Sequence, residues 1–416
     1  MSEQTRSRTA DTPWYYLPSV IIVAGCLVAM FNFGIRSSFG LFTGPISEAH
    51  GWPREVYSIA IASQNLLWGL ATPICGALAD RYGSARVLMG GAVFYAIGIA
   101  LMAGADSPSM LYFSGGILIG IGLAASSFGI VMAALGRLVP PEKHSWAFGI
   151  ATAASSMGQF IFAPLGGALI PAFGWYHALL ILGASALLMI VFALPLMAQN
   201  TSKSALPAGE AEMSMRQAVK AAFGNRSFIL LTSGFFVCGF QLTFISVHLP
   251  PYLQEHGISP GFAGLAIGSI GLFNIAGSYY AGIIGGRYSK RIPLSIIYLL
   301  RSAFIATFIL LPITNVSTIM FTAGMGLLWL STVPLTMGLV TVMFGTRYMA
   351  TLYGFVFLSH QVGAFFGVWL GGRLYDQFGS YDPIWWMGVA LGLVAAIIHL
   401  PIREQRSTKF MQAQPA

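Results

Sequence analysis

Charge is what this sequence lacks. Asp, Glu, Lys and Arg together make up 8% of its 416 residues, against roughly 25% in a soluble domain. A chain so poor in charge cannot cover itself with a hydrated surface. Its 56% hydrophobic content and mean hydropathy of +0.74 exclude an ordinary soluble protein. Cysteine is scarce too. Cys26, Cys75 and Cys238 are an odd set inside apolar runs, with neither a disulfide framework nor metal-ligand spacing. No cofactor is expected. The polar stretch MSEQTRSRTADTPW lacks the parts of a signal peptide, so the first apolar run is expected to be a mature helix. There is no nucleophile elbow and no phosphate loop. The glycine-rich GILIGIGLAASSFG follows no strand. An enzyme is not expected.

What is there is a series of apolar runs about 20 residues long, enough to cross a bilayer as helix. They place twelve spans near 17–47, 55–79, 87–105, 111–137, 147–170, 177–198, 227–250, 262–284, 293–312, 317–344, 349–370 and 383–401. The polar segment 199–226 separates six from six. The expected organisation is a tail (1–16), a six-helix half (17–198), a central loop (199–226), a second half (227–402) and a tail (403–416). Seventeen of the 21 Lys and Arg residues fall on the side of the termini and only Arg54 and Arg373 on the other, so both termini are expected in the cytoplasm. The net charge of +8 is therefore topological and not a nucleic-acid surface. The expected setting is the lipid bilayer of the inner (plasma) membrane, with the protein as a monomer.

The halves repeat. GALADRYGSARVL (76–88) and GIIGGRYSKRIPL (282–294) match at Gly76/Gly282, Arg81/Arg287 and Tyr82/Tyr288. A second block matches Gly149, Gly158, Gly166, Gly167, Phe173 and Gly174 with Gly354, Gly363, Gly371, Gly372, Phe378 and Gly379. Duplicated halves place a binding site near the midplane between them, with alternating access by rocking.

Gly76, Asp80, Arg81, Gly83 and Arg86 resemble the loop signature of the major facilitator superfamily, and the twelve spans with their repeat extend that resemblance over nearly the whole chain. It implies an all-α membrane fold of two pseudo-symmetric six-helix halves, and a gating role for Asp80, Arg81 and Arg86. In the second copy Gly286 stands where Asp80 does, which implies a weaker gate. The run Arg36-Ser37-Ser38-Phe39-Gly40-Leu41-Phe42 is similar to the first helix of the monocarboxylate transporter group, with arginine where many members have lysine, and FLSHQVGAFFGVWLGG resembles bacterial relatives of that group. The group's aspartate–arginine pair in the eighth helix is missing, with Asn274 and Ser278 in its place.

Arg36 is the leading candidate for function. An arginine at the centre of a span costs about 2.5–3.5 kcal/mol on insertion scales, and its fork of donors fits a carboxylate. All thirteen acidic residues lie in loops, tails or helix ends, so none neutralises it at depth. The alternative is a structural arginine bonded to carbonyls. The same two readings stand for Arg301. His360 is the candidate proton carrier; its alternative is a neutral histidine joining two helices. Gln64, Asn65, Asn274, Ser331 and Thr332 could orient a substrate or merely tie helices together. His248, Tyr279 and Trp329 rank lower. Ala163-Pro164-x-Gly166-Gly167 partly resembles an antiporter motif, and reads better as a proline kink.

The expected function is secondary transport of a small organic anion, a monocarboxylate, with proton symport. The alternatives are an anion exchanger without proton coupling, or a carrier of larger apolar compounds of the drug or siderophore type.

Overall fold

The protein is described from a computed structural model covering residues 17–138, 144–197, 214–345 and 349–407. The tail 1–16, the loop portion 199–213 and the tail beyond 407 lie outside the described residues, as does the side chain of Asp80.

Every described span is helical, and no strand occurs among the described residues. The spans are α1 (Pro18–His50), α2 (Arg54–Tyr82), α3 (Ser84–Ala103), α4 (108–138), α5 (144–173), α6 (175–193), α7 (Arg226–Glu255), α8 (Pro260–Arg287), α9 (Arg291–Leu310), α10 (Asn315–Phe344), α11 (Met349–Phe378) and α12 (Asp382–His399). Helices α5 and α6 are separate helices that meet at Gly174, whose non-helical φ of 77° is open to glycine and strained for other residues. A short helix, Met215–Phe223, precedes α7 and is capped by a Ser214–Gln217 box.

Four of the described spans are interrupted, α6 only briefly at Leu187. After Ser37, α1 tightens into a 3-10 turn (Phe39–Phe42) before resuming at Thr43. Helix α4 breaks at Ser126 and Ser127, and α10 between Leu328 and Thr332. Breaks free backbone groups that lipid cannot satisfy, so protein must do so. An offset of 206 residues aligns the two signature loops and also relates the breaks of α4 and α10. It pairs Ser126 with Thr332, Asn32 with Cys238 and Tyr95 with Arg301. Asn32 donates to Ser126 Oγ at 2.6 Å, and Cys238 Sγ lies 3.4 Å from Thr332 Oγ1. The repeat thus survives as architecture where the residue types have changed.

The halves meet along α5 with α8 and α2 with α11, and at one end α1 meets α7. We call that the far end; it carries the α1–α2, α7–α8 and α11–α12 turns. The other, terminal end carries Pro18 and His399. Gly40 shows how close the far-end approach is: a Cβ there would fall on the Ser246 carbonyl oxygen. Arg54 of α2 pairs with Glu255 of α7 at 2.5 Å. Asp376 of α11 accepts from the backbone N–H groups of Arg54 (3.1 Å) and Glu55 (2.7 Å), capping α2 from the opposite half. Glu55 in turn accepts from Trp369 Nε1 at 2.9 Å and lies 3.7 Å from Arg373. At the terminal end, by contrast, Cβ atoms on Gly76, Gly282, Gly286 or Gly354 would meet nothing within 4 Å. Far-end contacts hold the halves together, and these four glycines at the terminal end have no such neighbour.

Candidate functional site

Arg36 sits in the last turn of the first segment of α1, where a helix C-terminus favours a cation. Its Nη2 donates to Asn65 Oδ1 of α2. Asn65 is fully buried and steadies itself by donating to Ile61 O at 2.7 Å. The guanidinium carbon lies 5.0 Å from the centroid of the Trp68 ring, a cation–π contact. No ion pair among the described residues involves Arg36. Its Nε is buried and without a partner.

Trp68 carries the site across to the other half. Its ring meets Phe357 of α11 edge-on at 5.6 Å, and Phe357 stacks on His360 at 5.9 Å. His360 is half-buried, lies 5.0 Å from Phe235 of α7 and has Nδ1 at 3.1 Å from Gln361 Oε1. One row therefore links the cation of the first half to the imidazole of the second: Arg36, Trp68, Phe357, His360. Trp68 is absent from the sequence-derived candidates, although it stands one turn from Asn65.

The structure does not bring Arg301 into this group. Arg301 is fully buried, and its Nη2 donates to the carbonyls of Leu328, at 2.6 Å, and Trp329. Its Nη1 reaches Cys238 Sγ at 3.4 Å. Those carbonyls are the ones freed where α10 breaks. Asn274 serves the other side of the break: its Oδ1 accepts from Leu330 N at 2.9 Å and from Ser278 Oγ at 3.0 Å, while its Nδ2 donates to Ser156 Oγ of α5 at 2.9 Å. Both residues brace the broken helix.

The remaining candidates are similarly engaged. Gln64 Nε2 donates to Gly115 O at 2.9 Å, tying α2 to α4. Ser331 Oγ donates to Leu327 O at 2.7 Å, and Thr332 faces Cys238. Trp329 is 2% exposed inside its own half and Tyr279 is 67% exposed, so the two stand in opposite settings. His248 lies behind the far-end contacts. Its Nε2 donates to Val368 O at 2.8 Å, and its Nδ1 lies 3.3 Å from the hydroxyl of Tyr381, which also accepts from Arg54 at 2.9 Å. Arg81 and Arg86 are exposed at the terminal end, Arg81 over the Tyr82 ring and Arg86 3.4 Å from Tyr82 O.

A broken bundle of helical spans in two related halves, with Arg36 set inside it and in no ion pair among the described residues, defines a multi-pass membrane transporter. The chain belongs to the Major Facilitator Superfamily, whose profile matches residues 25–368. It is similar to an uncharacterised MFS-type transporter, YcxA, of Bacillus subtilis (26% identity, covering 95% of this chain and 97% of that one). It is also similar to monocarboxylate transporter 13 of Rattus norvegicus (24%; 90% and 86%) and to the oxalate:formate antiporter of Oxalobacter formigenes (22%; 88% and 86%). Its fold matches a bacterial homologue of the human lysosomal transporter Spinster, solved in an inward-facing and unoccupied conformation, with a TM-score of 0.76 at 17% identity over 97% of this chain and 99% of that one.

Proposed function

We propose that this transporter moves a small organic anion, a monocarboxylate, across the inner membrane by alternating access. One observation carries the reading. Arg36 has a neutral amide as its hydrogen-bond partner and lies over Trp68, whose ring meets the second half, and no ion pair among the described residues involves it. A buried cation without a counter-charge is costly, and a substrate carboxylate balances it. The similarity to a monocarboxylate transporter and to an oxalate:formate antiporter supports the same class of cargo.

The excess of Lys and Arg toward the termini supports a cytoplasmic terminal end and an outer far end. The state described is then closed outward, and on the inward side it is unpacked only as far as the Trp68–Phe357 contact. Residues 17–198 and 227–402 are the two rocking bodies. Arg36 and Asn65 bind the anion, and His360, half-buried at the end of the aromatic row, carries the symported proton. In this reading Arg301, Asn274, Gln64, Ser331 and Thr332 hold the scaffold. Asp80, Arg81 and Arg86 engage when the terminal end closes.

Exchange without a proton is the second reading, favoured by the lack of a carboxylate at membrane depth among the described residues. Counterflow in proteoliposomes separates the two. Carboxylate uptake driven by a pH gradient supports symport. Uptake that needs only trans-side carboxylate, at every pH, supports exchange. If correctly inserted Arg36→Ala transports as well as wild type, the anion site is wrong.

A further inference from the structure

Three N–H groups at the centre of the bundle are buried and have no partner: Nε of Arg36, Nε1 of Trp68 and Nε2 of Gln361. Buried donors are nearly always paired, because an unpaired one forfeits its hydration for nothing. Packing links the residues that carry them. Arg36 lies over the Trp68 ring, and a Cβ on the adjacent Gly69 would stand 2.9 Å from both Cβ and Cγ of Gln361. The group also straddles the halves, with Arg36 and Trp68 on one side and Gln361 of α11 on the other. The unpaired Nε of Arg301 and Nε1 of Trp385 differ: each lies within the second half, against its own helices.

What the group lacks is an acceptor, and a carboxylate supplies two oxygens with four acceptor positions. The amide of Gln361 is oriented for the task. With His360 Nδ1–H donating to Oε1, its Nε2 is left as the free end. Resting on the anion-transport reading above, we propose that Trp68 and Gln361 complete the carboxylate site begun by Arg36. The anion then bonds both halves at once. In the present state the site is packed shut by the Trp68–Phe357 contact. That contact lies one turn toward the terminal end from Asn65 and Gln361, so the anion reaches the donors by parting it.

The test is binding of acetate, lactate, pyruvate and oxalate to the purified full-length protein by titration calorimetry, beside the melting temperature without ligand. Trp68→Phe keeps the ring and removes its N–H. Gln361→Met keeps the volume and removes the donor. Gln361→Glu keeps the shape and repels an anion. Each variant is expected to bind the tightest of the four acids about 10-fold or more weakly, the scale of one hydrogen bond to a charged group. The ligand-free melting temperature of Trp68→Phe should stay level or rise, since an unpaired buried donor has been removed, whereas Gln361→Met also takes the Oε1 acceptor from His360 and should melt somewhat lower. Wild-type affinity in both, with binding lost in Arg36→Ala, would overturn this proposal and leave the transport reading standing. Parallel loss of affinity and of ligand-free stability in Trp68→Phe would make the tryptophan structural and overturn it too. No binding of any of the four acids to the wild type would remove both.

Discussion

Arg54 and Glu255 join the two halves of the transporter at 2.5 Å, one from the first turn of α2 and the other from the last turn of α7. The Arg54 guanidinium also lies 3.9 Å from the Tyr375 ring centroid and donates to Tyr381. The pair is partly exposed, with side chains 15% and 29% accessible, so alone it contributes at most about 1 kcal/mol. Glu255→Gln should therefore shift the balance toward the outward-open state by about two- to fivefold. Arg54→Gln should shift it further, because it also removes the tyrosine contacts. A cysteine placed at Val247 and labelled in whole cells with a membrane-impermeant thiol reagent reports this. Unchanged labelling in both variants would mean the pair does not hold the gate.

Arg301 makes a stability prediction. Arg301→Ala leaves the Leu328 and Trp329 carbonyls buried and unpaired, at about 1–3 kcal/mol each. Loss of the buried charge's own desolvation cost offsets part of this. The melting temperature should fall by several degrees in Arg301→Ala and less in Arg301→Lys, with carboxylate affinity of the folded fraction unchanged. A variant that folds as well as wild type yet loses affinity would return Arg301 to the binding site.

The spans and their duplication were legible because lipid imposes a long apolar run on every pass, and glycines at close helix contacts recur in both halves. The breaks in α1 and α10 were not. They fall within apolar stretches, and what fixes the α10 break comes from Arg301 and Asn274, on two other helices. Charge bookkeeping did hold a clue to the far-end contacts. Arg54 and Arg373 were the two basic residues on the wrong side for topology, and both now pair with acids across the halves. Trp68 and Gln361 gave no signal, since a tryptophan and a glutamine in a span read as packing until their unpaired N–H groups are seen together.

The second signature loop lacks an acid at Gly286, and Glu404 from beyond α12 reaches it instead. Glu404 accepts from Ser289 Oγ at 2.5 Å and from Arg291 N at 2.8 Å. Burial pushes its carboxyl up, but these bonds, that from the Lys290 backbone and the Lys290 charge outweigh it and hold the pKa below the ordinary 4.5. A depressed carboxylate contributes stability above its unfolded pKa and loses it as pH falls through the folded value. Glu404→Gln should thus lower the melting temperature at pH 7, and the gap to wild type should close as pH falls below about 4.5. Equal melting curves at pH 7 would show that the tail contact contributes nothing.

Gly40 and Gly76 make the last prediction, because they sit at opposite ends of the same half. A side chain on Gly40 cannot coexist with the Ser246 carbonyl where α1 meets α7, whereas one on Gly76 meets open space in this state. Gly40→Leu should hold the halves apart at the far end without unfolding either of them. The thiol at Val247 should then label at least as fast as in Arg54→Gln, and transport should fall to background. Gly76→Leu fits the present state and should leave that labelling low. Transport by Gly76→Leu then shows whether Gly76 must be approached closely when the terminal end shuts. A Gly40→Leu protein that transports normally would mean that α1 and α7 never need the contact drawn here, and the rocking motion would have to pivot elsewhere.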